Sequence, residues 1–235
     1  MCGISGYFGY NLPPMKNIEE ASSSLNHRGP DDNGIFIKKN NNKNIVLIHN
    51  RLAIIDLESR SNQPFREGKN LLIYNGEIYN FVEIRDKLKL LGYSFKTKSD
   101  TEVLAKALIH WKEKALNFLE GMWSFAWYNE ETNELTLSRD RFGEKPLYYL
   151  KDKDSIYFGS EIKSLAKLSG RWPKINKKQL LRYLINGYKS LYKSDDTFFE
   201  EVQELKSGHC MVINSKEGYK TYKYWSPKNL INNDI

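Results

Sequence analysis

At 235 residues, 40% of them hydrophobic and 13% aromatic, the chain carries enough apolar side chain to bury a core and falls outside the disordered class. Its longest apolar runs, 45–48 and 71–74, are strand-sized and far short of a membrane span, and the start lacks a basic stretch followed by an apolar leader, so a soluble, cytoplasmic protein with no membrane partner is expected. The net charge of +7 invites a nucleic-acid reading, but the lysines are spread through solvated loops such as "KKNNNKN" and "KDKD", and two cysteines with four scattered histidines give neither a disulfide framework nor a metal site.

The chain opens "MCGISGYFGYN". Ile4, Gly6 and Phe8 alternate with Gly3, Ser5 and Tyr7, so 3–9 reads as a half-buried strand with Cys2 as an ordinary small residue at its head. If Met1 is clipped off, Cys2 instead carries its own α-amino group, and thiol and base share one residue. The stretch "NHRGPDDNG" (26–34) is turn chemistry: Pro30 fixes φ, and Asp31, Asp32, Asn33 and Gly34 favour turns. Strands are expected at 34–37 and 45–49. Arg51 then stands between two apolar runs, which suits either a flanking surface charge or a guanidinium fork for a carboxylate. The strand at 71–74 leads into Asn75-Gly76, the strongest short hairpin signal, yet the same dipeptide offers a side-chain amide beside an unhindered backbone N–H, the pair an oxyanion hole requires. Asn80 as N-cap, the spacing of Phe81, Ile84, Leu88 and Leu91, and the stop at Gly92 predict a helix. "SDTEV" predicts a second, with Asp100 as its cap or with that carboxylate turned toward a ligand ammonium. Further strands are expected at 122–128, 134–137, 147–150 and 156–158, and helices at 161–168 and 177–186. Cys210 in "GHCMVI" reads as a buried strand thiol. Strands that arrive in hairpins argue for antiparallel sheets with helices stacked outside, an α+β layered fold in one domain.

Taken together, the N-terminal Cys, "HRGPDD", "RLAIIDL", "YNGEIYN", "SDTE", "LEGMWSFAWYN", "RDRFGEKPLYY" and "FGSEIKSL" closely resemble the N-terminal glutaminase domain of glutamine-hydrolysing asparagine synthetases, a class II glutamine amidotransferase domain. "MCGI" alone also fits other class II amidotransferases; the later motifs point to the asparagine synthetase branch. The resemblance covers 2–225 and leaves 226–235 as a polar, loosely held tail or linker. It implies a four-layer αββα sandwich of the N-terminal nucleophile hydrolases, with L-glutamine as substrate. Cys2 resembles the nucleophile, Asn75 and Gly76 the oxyanion hole, Arg51 the clamp for the α-carboxylate, and Glu77 and Asp100 the partners of the α-ammonium. The backbone of Leu52, Ala53, Ile54 and Ile55 would line the pocket. An α-amine with a pKa near ~7.7 to 8.0 can take the proton of a thiol near ~8.5. His27, Arg28, Gly29 and Asp31 read as architecture beside the pocket, and His49 and His110 as packing or surface residues. No cofactor is expected in this chain. ATP and Mg are expected only in a synthetase domain or subunit, because the Ser-Gly-Gly-x-Asp-Ser loop of that domain is missing and so is a Walker-type loop. Lys206 and Ser207 stand where members usually carry two prolines. The stretch to Ile235 reads as the first domain of a longer enzyme or as a separate glutaminase subunit, with a homodimer as one arrangement. Two other readings stay open: an amidotransferase half serving a surface-polysaccharide sugar or another acceptor, and a non-catalytic glutamine-binding module.

Overall fold

A computed structural model describes residues 1–188, 196–214 and 218–227. Strand β1 (Gly3–Gly9) shows how the apolar alternation is used on both sides: Ile4 and Phe8 enter one core, and Tyr7 enters another. Its antiparallel partner β3 (Asn44–Arg51) repeats the pattern, Ile45 and Leu47 inward and Val46 and Ile48 outward, in a register that sets Gly3 against Asn50. With β2 (Asp32–Lys38), β8 (Tyr148–Asp152), β9 (Ser155–Gly159) and β10 (Val202–Glu204) they form a six-stranded sheet of order β10-β8-β9-β1-β3-β2. A second six-stranded antiparallel sheet holds β4 (Phe65–Glu67), β5 (Asn70–Ile78), β6 (Gly121–Asn129), β7 (Glu134–Arg139), β11 (His209–Asn214) and β12 (Gly218–Lys223) in the order β12-β11-β7-β6-β5-β4.

Between the sheets, Ile4, Phe8 and Leu47 pack with Ile73, Leu137 and Met211. The outer face of the first sheet is covered by α1 (Met15–Ser23) and α4 (Ile162–Ser169), with Ile18, Ala21 and Leu168 against Tyr7 and Val46. On the outer face of the second, α2 (Phe81–Leu90) and α3 (Asp100–Trp111) lay Ile84, Leu88, Val103 and Leu104 on Leu72, Tyr74, Trp123 and Phe125. This is the expected αββα sandwich. The central strands β1 and β3 are buried on both faces, whereas the edge strands β2 and β12 stay partly exposed; each fully buried large apolar side chain contributes roughly 1.5–3 kcal/mol.

The structure departs from the local sequence signals at several places. Asp32 and Asn33, read as turn residues, open β2, because pairing with β3 runs back to Asp32 opposite Arg51. Strand β1, read as half-buried, is buried along its whole length, because helices cover its outer face. Asn75-Gly76 is no hairpin turn: it lies inside β5, opposite Ser124 and Trp123 of β6, because nine residues of pairing override a two-residue turn preference. Glycine is needed at 76, where a Cβ would meet the Met122 carbonyl oxygen at 2.2 Å. Asp100 does not cap α3; Ser99 does, its Oγ accepting the Thr101 N–H at 3.0 Å, which releases the Asp100 carboxylate for other contacts. Asn80 precedes α2 without capping it, and its amide instead bonds Phe118 O and Glu120 N at 2.9 and 3.0 Å. Helix α1 was not expected: only Ile18, Ala21 and Ser22 of its nine residues are buried, too thin a stripe to stand out in the sequence. Helix α5 (Lys177–Asn186) spans its predicted range, capped by Asn176. Most of the polar tail, 228–235, lies outside the described residues.

Candidate active site

Because β1 starts at Gly3 opposite Asn50, Cys2 lands beside the chain that leaves β3 at Arg51. The Leu52 N–H points at Cys2 Sγ from 3.4 Å, and the thiol lies 3.6 Å from Leu52 O. Arg28 fixes the backbone behind it, donating from Nε to Cys2 O at 3.0 Å and from Nη1 to Glu161 at 3.1 Å; His27 joins the same carboxylate oxygen at 2.8 Å. Asp31 accepts the Ala53 N–H at 2.8 Å. The "HRGPDD" loop therefore holds the cysteine and the following segment in place without facing them chemically. Burial pushes the Cys2 thiol above its ordinary value; the Leu52 N–H, the N-terminal charge and Arg51 pull it back, and Asp100 adds to the rise. Cys210, fully buried in β11, is pushed up to about 12, again by burial first. Cys2 lines a solvent-open cleft of about 620 Å³, whereas Cys210 lies at 0% exposure beneath a separate hollow shared with Leu116 and Tyr222.

Arg51 enters this cleft from the end of β3 with its side chain already gripped. Nη1 donates to Glu58 O at 3.2 Å and to Asn62 Oδ1, and Nη2 donates to Asp56 O. Asp56 adopts φ +54° to present that carbonyl, and its own carboxylate accepts the Lys98 N–H at 2.6 Å. A guanidinium has five N–H donors, so Nε–H and one Nη2–H remain: two donors on one edge, the geometry that fits a carboxylate.

Across the cleft, β5 supplies Asn75, Gly76 and Glu77. Asn75 is 1% exposed, and its Nδ2 finds no acceptor among the described residues. An orphaned buried donor costs on the order of 1–3 kcal/mol, which calls for a partner the protein does not itself provide. Behind it, Asp100 Oδ2 accepts Tyr74 OH at 2.9 Å and the Ile78 N–H at 3.1 Å. Burial pushes the Asp100 carboxyl up against these bonds and the Thr101 N–H, and the Glu77 charge pushes the same way. Both effects favour arrival of a cation.

The "RDRFGEK" stretch closes the cleft. Asp140, fully buried, accepts four backbone N–H groups, those of Trp123, Phe142, Glu144 and Lys145, at 3.0 to 3.3 Å. Arg139 gathers the carbonyls of Lys145, Leu205 and Gly143 at 2.8, 2.8 and 2.6 Å. The loop so fixed delivers Lys145 to the cleft wall, 4% exposed, its Nζ 2.8 Å from Met1 Sδ.

The structure thus gathers Cys2, Arg51, Leu52, Ile54, Ile55, Asn75, Gly76, Glu77 and Asp100 around one opening. Ala53 stays off the wall, its N–H turned to Asp31. Sequence reasoning passed over Gln63, Tyr74, Ser99, Thr101, Met122 and Lys145, which also line the cleft. Gln63 reaches it only through long-range packing, its Oε1 taking the Tyr74 N–H at 2.6 Å, and no local pattern marks it. Lys145 lay inside a motif already singled out. Among the described residues no three His, Cys, Asp or Glu side chains assemble to hold a metal ion, and no helix is long and apolar enough to cross a membrane.

The family model of the glutamine amidotransferase domain matches residues 1–225. The chain is 31% identical over 233 residues to the glutamine-hydrolyzing asparagine synthetase 3 of Bacillus subtilis (strain 168), a match covering 96% of this chain and 37% of that protein. With asparagine synthetase 1 of the same strain it shares 39% over 191 residues, 78% of this chain and 29% of that one. With the amidase chry2 of Gibberella zeae it shares 30% over 245 residues, 96% and 34%. The chain spans about a third of the length of these relatives. Among solved structures, glutamine phosphoribosylpyrophosphate amidotransferase from B. subtilis superposes with a TM-score of 0.70 at 21% identity, over 95% of this chain and 49% of that one, and so shares the fold.

Proposed function

The chain belongs to the glutamine amidotransferase family, as a class II domain homologous to glutamine-hydrolysing asparagine synthetases, and from that premise we propose that it hydrolyses L-glutamine to L-glutamate and ammonia through a thioester on Cys2. The observation that carries this is the meeting, in one cleft, of the Cys2 thiol with the unpartnered buried amide of Asn75.

Once Met1 is removed, the Cys2 α-amine accepts the thiol proton and Sγ attacks the side-chain amide carbon of glutamine. The carbonyl oxygen, now an oxyanion, lies on the Asn75 Nδ2–H and the Gly76 N–H. The C–N bond breaks as the α-ammonium returns its proton to the leaving nitrogen, which departs as ammonia. Water then attacks the thioester carbon, the C–S bond breaks, and thiol and glutamate are released. The open edge of Arg51 holds the α-carboxylate, Asp100 and Glu77 the α-ammonium. No cofactor enters these steps. The domain runs over 2–225. Ammonia passes to a synthetase domain or subunit, where the ATP and Mg chemistry belongs and aspartate is the first acceptor to test.

The test is glutamate release by the purified chain, beside its Cys2→Ala variant, after labelling with a glutamine-directed alkylating analogue. Label on Cys2, none on Cys210, and activity lost with Cys2 are expected. Full turnover by Cys2→Ala, or by a sample whose intact mass retains Met1, defeats the mechanism.

A further inference from the structure

Lys145 is the one strongly buried cationic group in the cleft that the reaction above leaves unused. At 4% exposure its ammonium has no ion-pair partner among the described residues; its Nζ points at a thioether, a weak acceptor. A buried, unpaired charge is costly, and this one is held by heavy construction: Asp140 takes the Lys145 N–H, and Arg139 takes its carbonyl. The groups that face it are Glu144, Asp140 and Glu77, which favour its charge, and Arg28, which opposes it; burial, the largest influence, lowers its pKa. Cys2 is faced by Arg51 and Asp100. Both Asp140 oxygens are already committed to backbone N–H groups.

We propose that the Lys145 ammonium is a positioning residue that keeps the Cys2 α-amine unprotonated once Met1 is gone, and thereby sets the acid limit of the site. This rests on the glutaminase reading above. Met1 Sδ lies five bonds from the Cys2 nitrogen, so Nζ is within roughly 9 Å of the future amine. Loss of Met1 removes the Nζ acceptor and opens the volume into which the lysine stem can move closer. A like charge at that range in a partly desolvated cleft disfavours the protonated amine, and it favours the thiolate for the same reason. The pair then titrates as a unit whose acid limb lies lower than it would without the lysine.

The test uses the purified chain with Cys2 confirmed as the first residue by intact mass, in wild-type, Lys145→Met, Lys145→Gln and Lys145→Arg forms, folding checked by circular dichroism. Two profiles are measured against pH: the rate of iodoacetamide alkylation at Cys2 without glutamine, and kcat/KM for glutamine. Both neutral variants should shift the acid limb of each profile upward by about one pH unit, and Lys145→Arg should keep the wild-type limb. The proposal falls if the limb stays put in the neutral variants that fold, or if Arg shifts it as far as Met does, which would make the effect steric. A wild-type chain that alkylates at Cys2 but leaves glutamine intact refutes the glutaminase reading alone; the alkylation profiles then still decide the lysine's part.

Discussion

Asn75→Ala separates chemistry from architecture because the Nδ2 it removes has no acceptor among the described residues. Nδ2 is buried without an acceptor, so the substitution breaks no hydrogen bond there, and it relieves an orphaned donor that costs on the order of 1–3 kcal/mol. Against this stands the packing lost with the amide, of similar size. The two nearly cancel, and at about 2–4 °C per kcal/mol for a domain this long the melting midpoint should move by only a few degrees. Catalysis should not be spared. If Nδ2–H carries half of the oxyanion hole, its loss should lower kcat by ~10² to 10³, about 2.7–4 kcal/mol of transition-state stabilisation, with KM nearly unchanged. Steady-state glutamate release and differential scanning fluorimetry on the same preparation decide the matter. A midpoint that falls by more than about 6 °C, or a rise in KM with kcat retained, would mean that the amide props the β5–β6 pair or merely touches substrate, and the oxyanion assignment would be wrong.

Arg51→Lys keeps the charge but loses the fork that grips Glu58 O, Asn62 and Asp56 O while keeping one edge open, so KM for glutamine should rise at least ~10-fold with a smaller change in kcat, and limited proteolysis should find residues 56–62 newly accessible. Asp140→Asn replaces an all-acceptor group facing four N–H donors by one that must turn an NH₂ toward some of them; unfolding in urea should show a loss of roughly 2–4 kcal/mol, and glutaminase activity should fall with the displaced Lys145 loop. His49 is buried in β3 with Nε2 3.2 Å from Tyr74 O, and burial drives its pKa down to about 3. Its folded value lies below the unfolded value near ~6.5, so its contribution is complete above that pH and is lost as pH falls toward 3, by roughly 2–3 kcal/mol at pH 4.5. The urea midpoint of the wild-type chain should drop accordingly between pH 7.5 and 4.5, and His49→Gln should flatten the drop.

The layered fold was legible because period-two alternation marks strands whatever they pack against, and Tyr7 and Phe8, neighbours in sequence, lie in different cores just as that period demands. The Asn75-Gly76 and Asp100 signals misled for one reason: turn and cap preferences are local and worth about 1 kcal/mol, whereas β5 is held by nine residues of pairing with β6 and Asp100 by Tyr74 and Ile78. Both conflicts fall in the cleft, where a residue is placed for what it presents and not for what its local segment prefers. Gln63 was invisible because it reaches the cleft through contacts between separate segments, whereas Tyr74 lay inside a motif already singled out and its part shows only in the bond to Asp100. Arg51 showed itself as a charge between apolar runs that suits a carboxylate fork, but the loop carbonyls of Asp56 and Glu58 that aim it carry no side-chain signature.

The division of labour in the cleft follows the mechanical character of each element. Cys2 precedes a strand of one sheet, and Asn75 and Gly76 sit inside a strand of the other, so the distance from the thiol to the Asn75 amide and the Gly76 N–H is set by the core between the sheets, where Ile4 and Phe8 meet Ile73. Interiors packed at crystal density hold such a spacing against thermal motion. This matters because an error of about 1 Å between reacting groups can cost ~10² in rate. Of the groups assigned to the charged ends of glutamine, Glu77 lies in β5, while Arg51 at a strand end and Asp100 at a helix start come from looser places, each tied down by its own hydrogen bonds. Charge pairing falls off slowly with distance and tolerates such placement, whereas covalent attack does not. Under the proposed assignment, the charges that choose the substrate can change at the strand end and the helix start while the Cys2 thiol and the Asn75 and Gly76 donors stay fixed by the two sheets.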